Sequence, residues 1–212
     1  MSAALWFGLV LGLRHALEPD HLTVIATILA ETGSLRRMLR VGIAWGVGHC
    51  ASILGVALIL GALQARMPPR LESLFELAVI VMLLGLGARS LVRAWRGAAT
   101  PAATLSSLQV GRWAFTRRGL TMGLVHGLAG SGLLTAMVTA RFPGVAARLV
   151  FVLLFGLGAT LGMALLSGLV GAPLARAARA PASARAVTAV AGLLSLALGL
   201  WWSLPLVRAL AG

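Results

Sequence analysis

Apolar residues in this chain run together rather than alternating with polar ones. Stretches at about 3–31, 41–64, 72–94, 118–140, 146–172 and 186–208 are rich in Leu, Val, Ala and Gly and poor in charge. Each has the length of about 20 residues that carries a helix across a bilayer core. The pattern predicts an all-α polytopic membrane protein with about six transmembrane helices. Strands of a membrane barrel would appear instead as short segments of alternating polarity. The first and fifth stretches look long for a span, which predicts tilt or a break.

One run violates its own pattern. RHALEPDHL (14–22) sets Arg14, His15, Glu18, Asp20 and His21 between AALWFGLVLGL and TVIATILA. Pro19 lacks an N–H, and its ring collides with the carbonyl of residue 15 in a continuous helix. Glu18, preceding it, is pushed out of helical geometry. In a regular helix His15 and His21 would point about 240° apart, six residues on at about 100° each. A break near Pro19 is therefore expected, and only such a break lets the two imidazoles share a ligand.

The pattern also repeats. GLVLGLRHALEPDHLTVIAT (8–27) aligns without gaps with GLTMGLVHGLAGSGLLTAMV (119–138), pairing Gly8 with Gly119, Gly12 with Gly123 and His15 with His126. WGVGHCASILG (45–55) has a weaker echo in FGLGATLGMAL (155–165). Two three-helix repeats are expected, at 1–95 and 118–212, joined by a cytoplasmic linker at 96–117. A three-span unit is odd-numbered, so its second copy must be inverted in the membrane, and inverted repeats with interrupted first helices are a transporter signature. In the second copy Gly127, Gly130 and Gly132 take the loosening role of Pro19.

Composition sharpens this picture. The chain is 59% hydrophobic, and its net charge of +13 comes from arginine without any lysine. The arginines sit between apolar runs, where they meet lipid headgroups and set topology rather than bind nucleic acid. Arg36, Arg37, Arg40, Arg93, Arg96, Arg112, Arg117, Arg118, Arg176, Arg179 and Arg185 fall on one side; Arg66, Arg70, Arg141, Arg148 and Arg208 fall on the other. The richer side is read as cytoplasmic, with both termini outside an inner (plasma) membrane. The opening Met1-Ser2-Ala3-Ala4 lacks the basic start of a cleavable signal, so the first run is expected to be a genuine span. With Cys50 as the sole cysteine, an intramolecular disulfide or a two-cysteine relay is excluded.

Charges at bilayer depth cost about 2.5–3.5 kcal/mol each on insertion scales, so this cluster needs partners or a function. Arg14 and Glu18 are spaced to pair at i,i+4. His15, Asp20 and His21 then remain, and imidazole with carboxylate suits a divalent first-row transition metal. His49, in GVGHCAS, and His126 also lie in predicted spans. The expected metal ligands are His15, Asp20, His21, His49 and His126. Glu18, Arg14, Cys50 and Ser52 are candidates for contacts around them. Thr160 and Met163, facing the His49 region from the second repeat, are weaker candidates, since methionine in apolar helices mostly packs. No catalytic residue, resident cofactor or nucleotide-binding motif is evident, so an enzyme is not expected. Small residues at helical spacing, such as Gly8–Gly12 and Gly42–Gly46, allow close helix packing and say nothing of oligomeric state.

The H-x4-D-H pattern of His15, Asp20 and His21 resembles the signature of the nickel/cobalt transporter superfamily. WGVGHCASILGVAL (45–58) is similar to its next motif. The six-span form, GLVHGLAGSG (123–132) and FGLGATLGMALLSG (155–168) look most like its UreH-like branch. The resemblance covers essentially the whole chain. It implies a permease whose transported substrate is Ni2+ or Co2+, with lipid as its surroundings and urease or hydrogenase maturation proteins downstream. Two features depart from longer members. Glu18-Pro19 stands where they tend to have aspartate and alanine, and FGLGATLG offers no carboxylate at Ala159 or Thr160. The absence of a histidine-rich loop favours uptake over efflux. Efflux stays open, as does a proton-coupled carrier using the histidines as a relay; a thiol relay or a membrane metalloenzyme fits less well.

Overall fold

The computed structural model describes residues 2–29, 35–97, 112–142, 144–177 and 180–211. Among them are eight helices: α1 (Ser2–His15), α2 (Pro19–Leu29), α3 (Leu35–Ala62), α4 (Pro69–Trp95), α5 (Arg112–Leu128), α6 (Ser131–Arg141), α7 (Val145–Ala177) and α8 (Pro181–Ala211). Four of these, α3, α4, α7 and α8, are long and apolar enough to cross a membrane, and α5 with α6, bent by 57° at their break, pass together as a fifth. Their lipid-facing sides carry exposed Leu, Val and Trp throughout, as in α7, where Leu153, Leu157, Leu161, Leu165 and Leu169 are all exposed. This is the surface of a multi-pass membrane protein.

The helices overrun the apolar windows read from the sequence. α3 starts at Leu35 rather than about 41, and α8 starts at Pro181 rather than about 186. Hydropathy sees only the part that lies in lipid, whereas backbone hydrogen bonding continues into polar flanks such as Arg36, Arg37 and Arg40. The expected linker, 96–117, falls only partly within the described residues. α5 already begins at Arg112, and residues 98–111 lie outside the described residues.

Both expected breaks are present, at matching positions and by different chemistry. After α1, Leu17 N–H donates to Arg14 O and Glu18 N–H to His15 O, closing i→i+3 turns that end the helix. Pro19 then opens α2 at the first helical position, where its missing N–H costs nothing. The counterpart of Pro19 is Gly130, which caps α6 in the left-handed region at φ +73°. Only glycine takes that conformation freely.

α1 packs along α7, α5 along α3, α3 along α7, and α4 along α8. The closest approaches are at glycines. A Cβ at Gly12 would collide with Phe155 O, and one at Gly123 with Trp45 O; Gly48 lies against Leu120 O, and Gly158 against Leu9 O. The buried core is centred where α2, α3, α4 and α7 meet, on Val24, Ile25, Ile28, Met38, Val41, Trp45, Val79, Leu83 and Met163. Ser52 Oγ donates to Leu124 O (2.7 Å) and Ser195 Oγ to Leu83 O (2.8 Å), two interhelical bonds of the kind that strengthen packing in lipid.

Backbone oxygens cannot retreat as a flexible side chain can, so Gly12→Ala and Gly123→Ala are each expected to separate a helix pair. Overpacking of this kind costs about 1–3 kcal/mol or more. Each variant should lower the melting temperature and folded yield in detergent. Gly55→Ala, where an added Cβ meets nothing, is the control and should be neutral.

Candidate metal centre

The α1–α2 break does for the two motif histidines what a straight helix could not. His15, at the end of α1, and His21, in the first turn of α2, have ring centroids 4.6 Å apart at 69°. Asp20 sits beside His21 in that first turn, where the positive end of the helix favours a carboxylate. His49 reaches the cluster from the middle of α3 and His126 from the last turn of α5. All four histidines of the chain and its single aspartate therefore converge at one place, although Asp20 and His126 are 106 residues apart in sequence. Asp20, His21, His49 and His126 are buried; His15 is partly so.

The carboxylates assign the ring protons, because ionised oxygens only accept. His21 Nδ1–H donates to Asp20 Oδ1 (3.1 Å), and His126 Nε2–H to Asp20 Oδ2 (2.6 Å). His15 Nδ1–H donates to Glu18 Oε1 (2.9 Å). This leaves His15 Nε2 as an acceptor for His49 Nε2–H at 3.1 Å. The remaining nitrogens, His21 Nε2, His49 Nδ1 and His126 Nδ1, are buried with no partner among the described residues. On this proton assignment each is a lone pair, and an unsatisfied buried polar atom costs about 1–3 kcal/mol. An acceptor of electron pairs, such as a metal cation, relieves that cost; another hydrogen-bond acceptor does not.

The residues compose two sets whose ligand atoms lie within 4.8 Å of one another: His15, His21 and His49, and Asp20, His21 and His126. A cavity of about 480 Å³ opens beside them. Its inner wall includes His15, Asp20, His21 and His126. Its rim includes Glu18, Glu76 on α4, Gly130 at the α5–α6 break, and Trp201, Trp202 and Pro205 near the end of α8.

The candidates around the ligands divide. Glu18 holds His15, not Arg14 as the i,i+4 spacing suggested. The helix ends between those two residues, so the i,i+4 geometry does not exist, and Arg14 is exposed. Cys50 lies against Gly156 of α7. Ser52 ties α3 to α5 as described. Thr160 donates to Gly156 O within its own helix, and Met163 is core.

Three contributors escaped the sequence reading. Trp45 stacks on His21, with centroids 5.4 Å apart and planes 14° apart, and fixes that ring from behind. Phe155 packs beside His15 at 5.3 Å. Glu76 was passed over on a span otherwise read as apolar. The WGVGH stretch contained Trp45, but nothing in it shows which ring the indole meets.

No family model matches the chain, and no solved structure matches it. Among curated proteins it is similar to the urease accessory protein UreH of Bacillus sp. (strain TB-90), at 28% identity over 208 residues, 94% of this chain and 90% of that protein. The chain is a homologue of that accessory protein, consistent with the UreH-like branch of the nickel/cobalt transporters that its motifs resemble.

Proposed function

We propose that the protein is a permease for divalent transition-metal cations, Ni2+ first and Co2+ second, acting in uptake. The observation that carries this reading is the convergence of four imidazoles and a carboxylate beside a cavity inside an apolar helical protein. Imidazole with carboxylate suits Ni2+ and Co2+ better than Mg2+ or Ca2+, which demand mostly oxygen. The relative, aligned over 90% of its length, bears the name of a urease accessory protein, and the motif resemblance implies nickel or cobalt as cargo. In this reading the metal is cargo and no resident cofactor is needed.

Six spans and two inverted repeats belong to the same proposal. α1 and α2 together form the sixth, broken span. The glycine contacts support the repeat: Gly12 on Phe155 and Gly123 on Trp45 are equivalent positions, as are Gly158 on Leu9 and Gly48 on Leu120. The two halves would move against each other around the histidines, giving alternating access. The cavity rim is made by the early part of α4 and the late part of α8, the end that the arginine distribution assigns to the outside. Metal would enter there, past Glu18 and Glu76. An inside-negative potential favours inward movement of a divalent cation by about 4.6 kcal/mol per 100 mV, at about 2.3 per charge.

The test is transport by the purified protein in liposomes. With an inside-negative potential, radioactive Ni2+ should accumulate, Co2+ should compete, and Mg2+ should not. Absence of any metal flux by correctly folded protein would remove this reading and leave the proton-coupled carrier.

A further inference from the structure

The five ligands do not surround one point. His21 is the only residue common to both compact sets. Its ring centroid is 4.3 Å from that of His126 and 5.4 Å from that of His49, while His49 and His126 stand 6.2 Å apart. The sets also differ in access. Asp20, His21 and His126 all line the cavity, and of the other set His15 and His21 do as well. His49 does not; it is 1% exposed, and Gly127 of α5 packs against its backbone.

We infer that the site holds metal at two successive positions hinged on His21: an outer one on Asp20, His21 and His126, and an inner one on His15, His21 and His49. This rests on the permease reading above and adds the route within it. At the inner position the Nε2 atoms of His15 and His49 are 3.1 Å apart. Neighbouring donors on an octahedral ion stand about 3.0 Å apart when its metal–nitrogen bonds are about 2.1 Å, so one ion fits between them with little movement once the His49 proton passes from Nε2 to Nδ1. At the outer position Asp20 Oδ2 and His126 Nε2 are joined by a hydrogen bond of 2.6 Å. Metal binding there replaces that bond, and the ring carries its proton on Nδ1 instead.

The division has a chemical logic. The outer set includes a carboxylate, which draws a hydrated dication out of the cavity and offsets its charge. The inner set is all imidazole, whose nitrogens favour Ni2+ and Co2+ over Mg2+ and Ca2+. A cation that cannot exchange oxygen for nitrogen stops at the first position. His21, held by Asp20 on one side and Trp45 behind, stays bound while the other ligands change. Each step breaks only part of the coordination shell.

The test uses full-length protein in detergent with Co2+ alone, read by its visible absorption and by X-ray absorption, which counts imidazoles in the shell. His126→Ala should retain a Co2+ bound by three imidazoles. His49→Ala should retain one bound by fewer imidazoles and a carboxylate oxygen. Both should lose more than about 10-fold in transport, a conservative figure beside the 10–100-fold caused by losing only an outer partner of a ligand. Glutamine variants at the same positions guard against misfolding and should give the same two spectra. If His49→Ala and His126→Ala leave the same residual shell, or if one Co2+ in the wild type carries four imidazoles at once, the two-position inference is overturned while the permease survives. A wild-type protein that binds no Co2+ or Ni2+ overturns both.

Discussion

Replacing His21 with alanine is expected to abolish Ni2+ and Co2+ binding while leaving the protein in the membrane. His21 belongs to both sets, so no three-residue set remains without it among the described residues. Losing a residue that merely supports a ligand already weakens metal sites by about 10–100-fold, so losing the shared ligand should exceed about 100-fold. The change also empties space against Trp45 and frees Asp20 Oδ1, and truncating a fully buried side chain of this size costs about 2–5 kcal/mol. His21→Gln keeps most of the volume and a polar tip. It should restore stability without restoring binding, and calorimetry on both variants beside a melting curve separates the two effects. Wild-type affinity in either folded variant would mean that the histidine cluster does not bind metal.

Asp20→Asn is expected to be nearly as severe, although it keeps the size and shape of the side chain. The carboxylate is 2% exposed and accepts from two imidazoles through its two oxygens. An amide offers one oxygen and one N–H2 group, so one of these rings would face a donor with a donor. That ring must shift its proton or turn away, and either change disturbs the nitrogens poised for the cation. The charge matters as well. A unit pair 4 Å apart interacts by about 4 kcal/mol at an effective dielectric of 20, and a dication would gain about twice that. Most of this is spent in stripping water from the ion. The net expectation is a loss of more than about 100-fold in transport in liposomes, with normal insertion and folding. Asp20→Glu keeps the charge but moves it by one methylene, and should recover binding in part. Unimpaired transport by Asp20→Asn would remove the carboxylate from the mechanism.

These two effects differ from those of the glycine substitutions in origin. Gly12 and Gly123 set how closely α1 meets α7 and α5 meets α3. Those contacts bring His15 and His126 into one cluster with His49. A change there should act on folding first and on metal only through it.

Much of this was legible along the chain because its physics is local. Apolar runs of span length need no partner to be recognised, since the bilayer imposes the length. Pro19 removes a backbone donor and restricts Glu18 before it, so a break there is a local expectation, and the match between His15 and His126 marks the same break in the second copy, reached through Gly130 instead. The residues that converge at the candidate site were legible too, because a histidine or aspartate in a membrane run needs a reason to be there. The tertiary structure decided the rest. It set Glu18 against His15 rather than Arg14, stacked Trp45 on His21, brought Glu76 and Trp201 to the cavity rim, and arranged the five side chains as two compact sets. All of these except the Glu18 contact depend on how distant helices rotate and slide against one another. That register is settled by close packing at glycines, and the consequences for a given ring nitrogen have no counterpart in the residues beside it. Even the Glu18 contact required the helix to stop where it does, since a single further turn would have returned Arg14 to its reach.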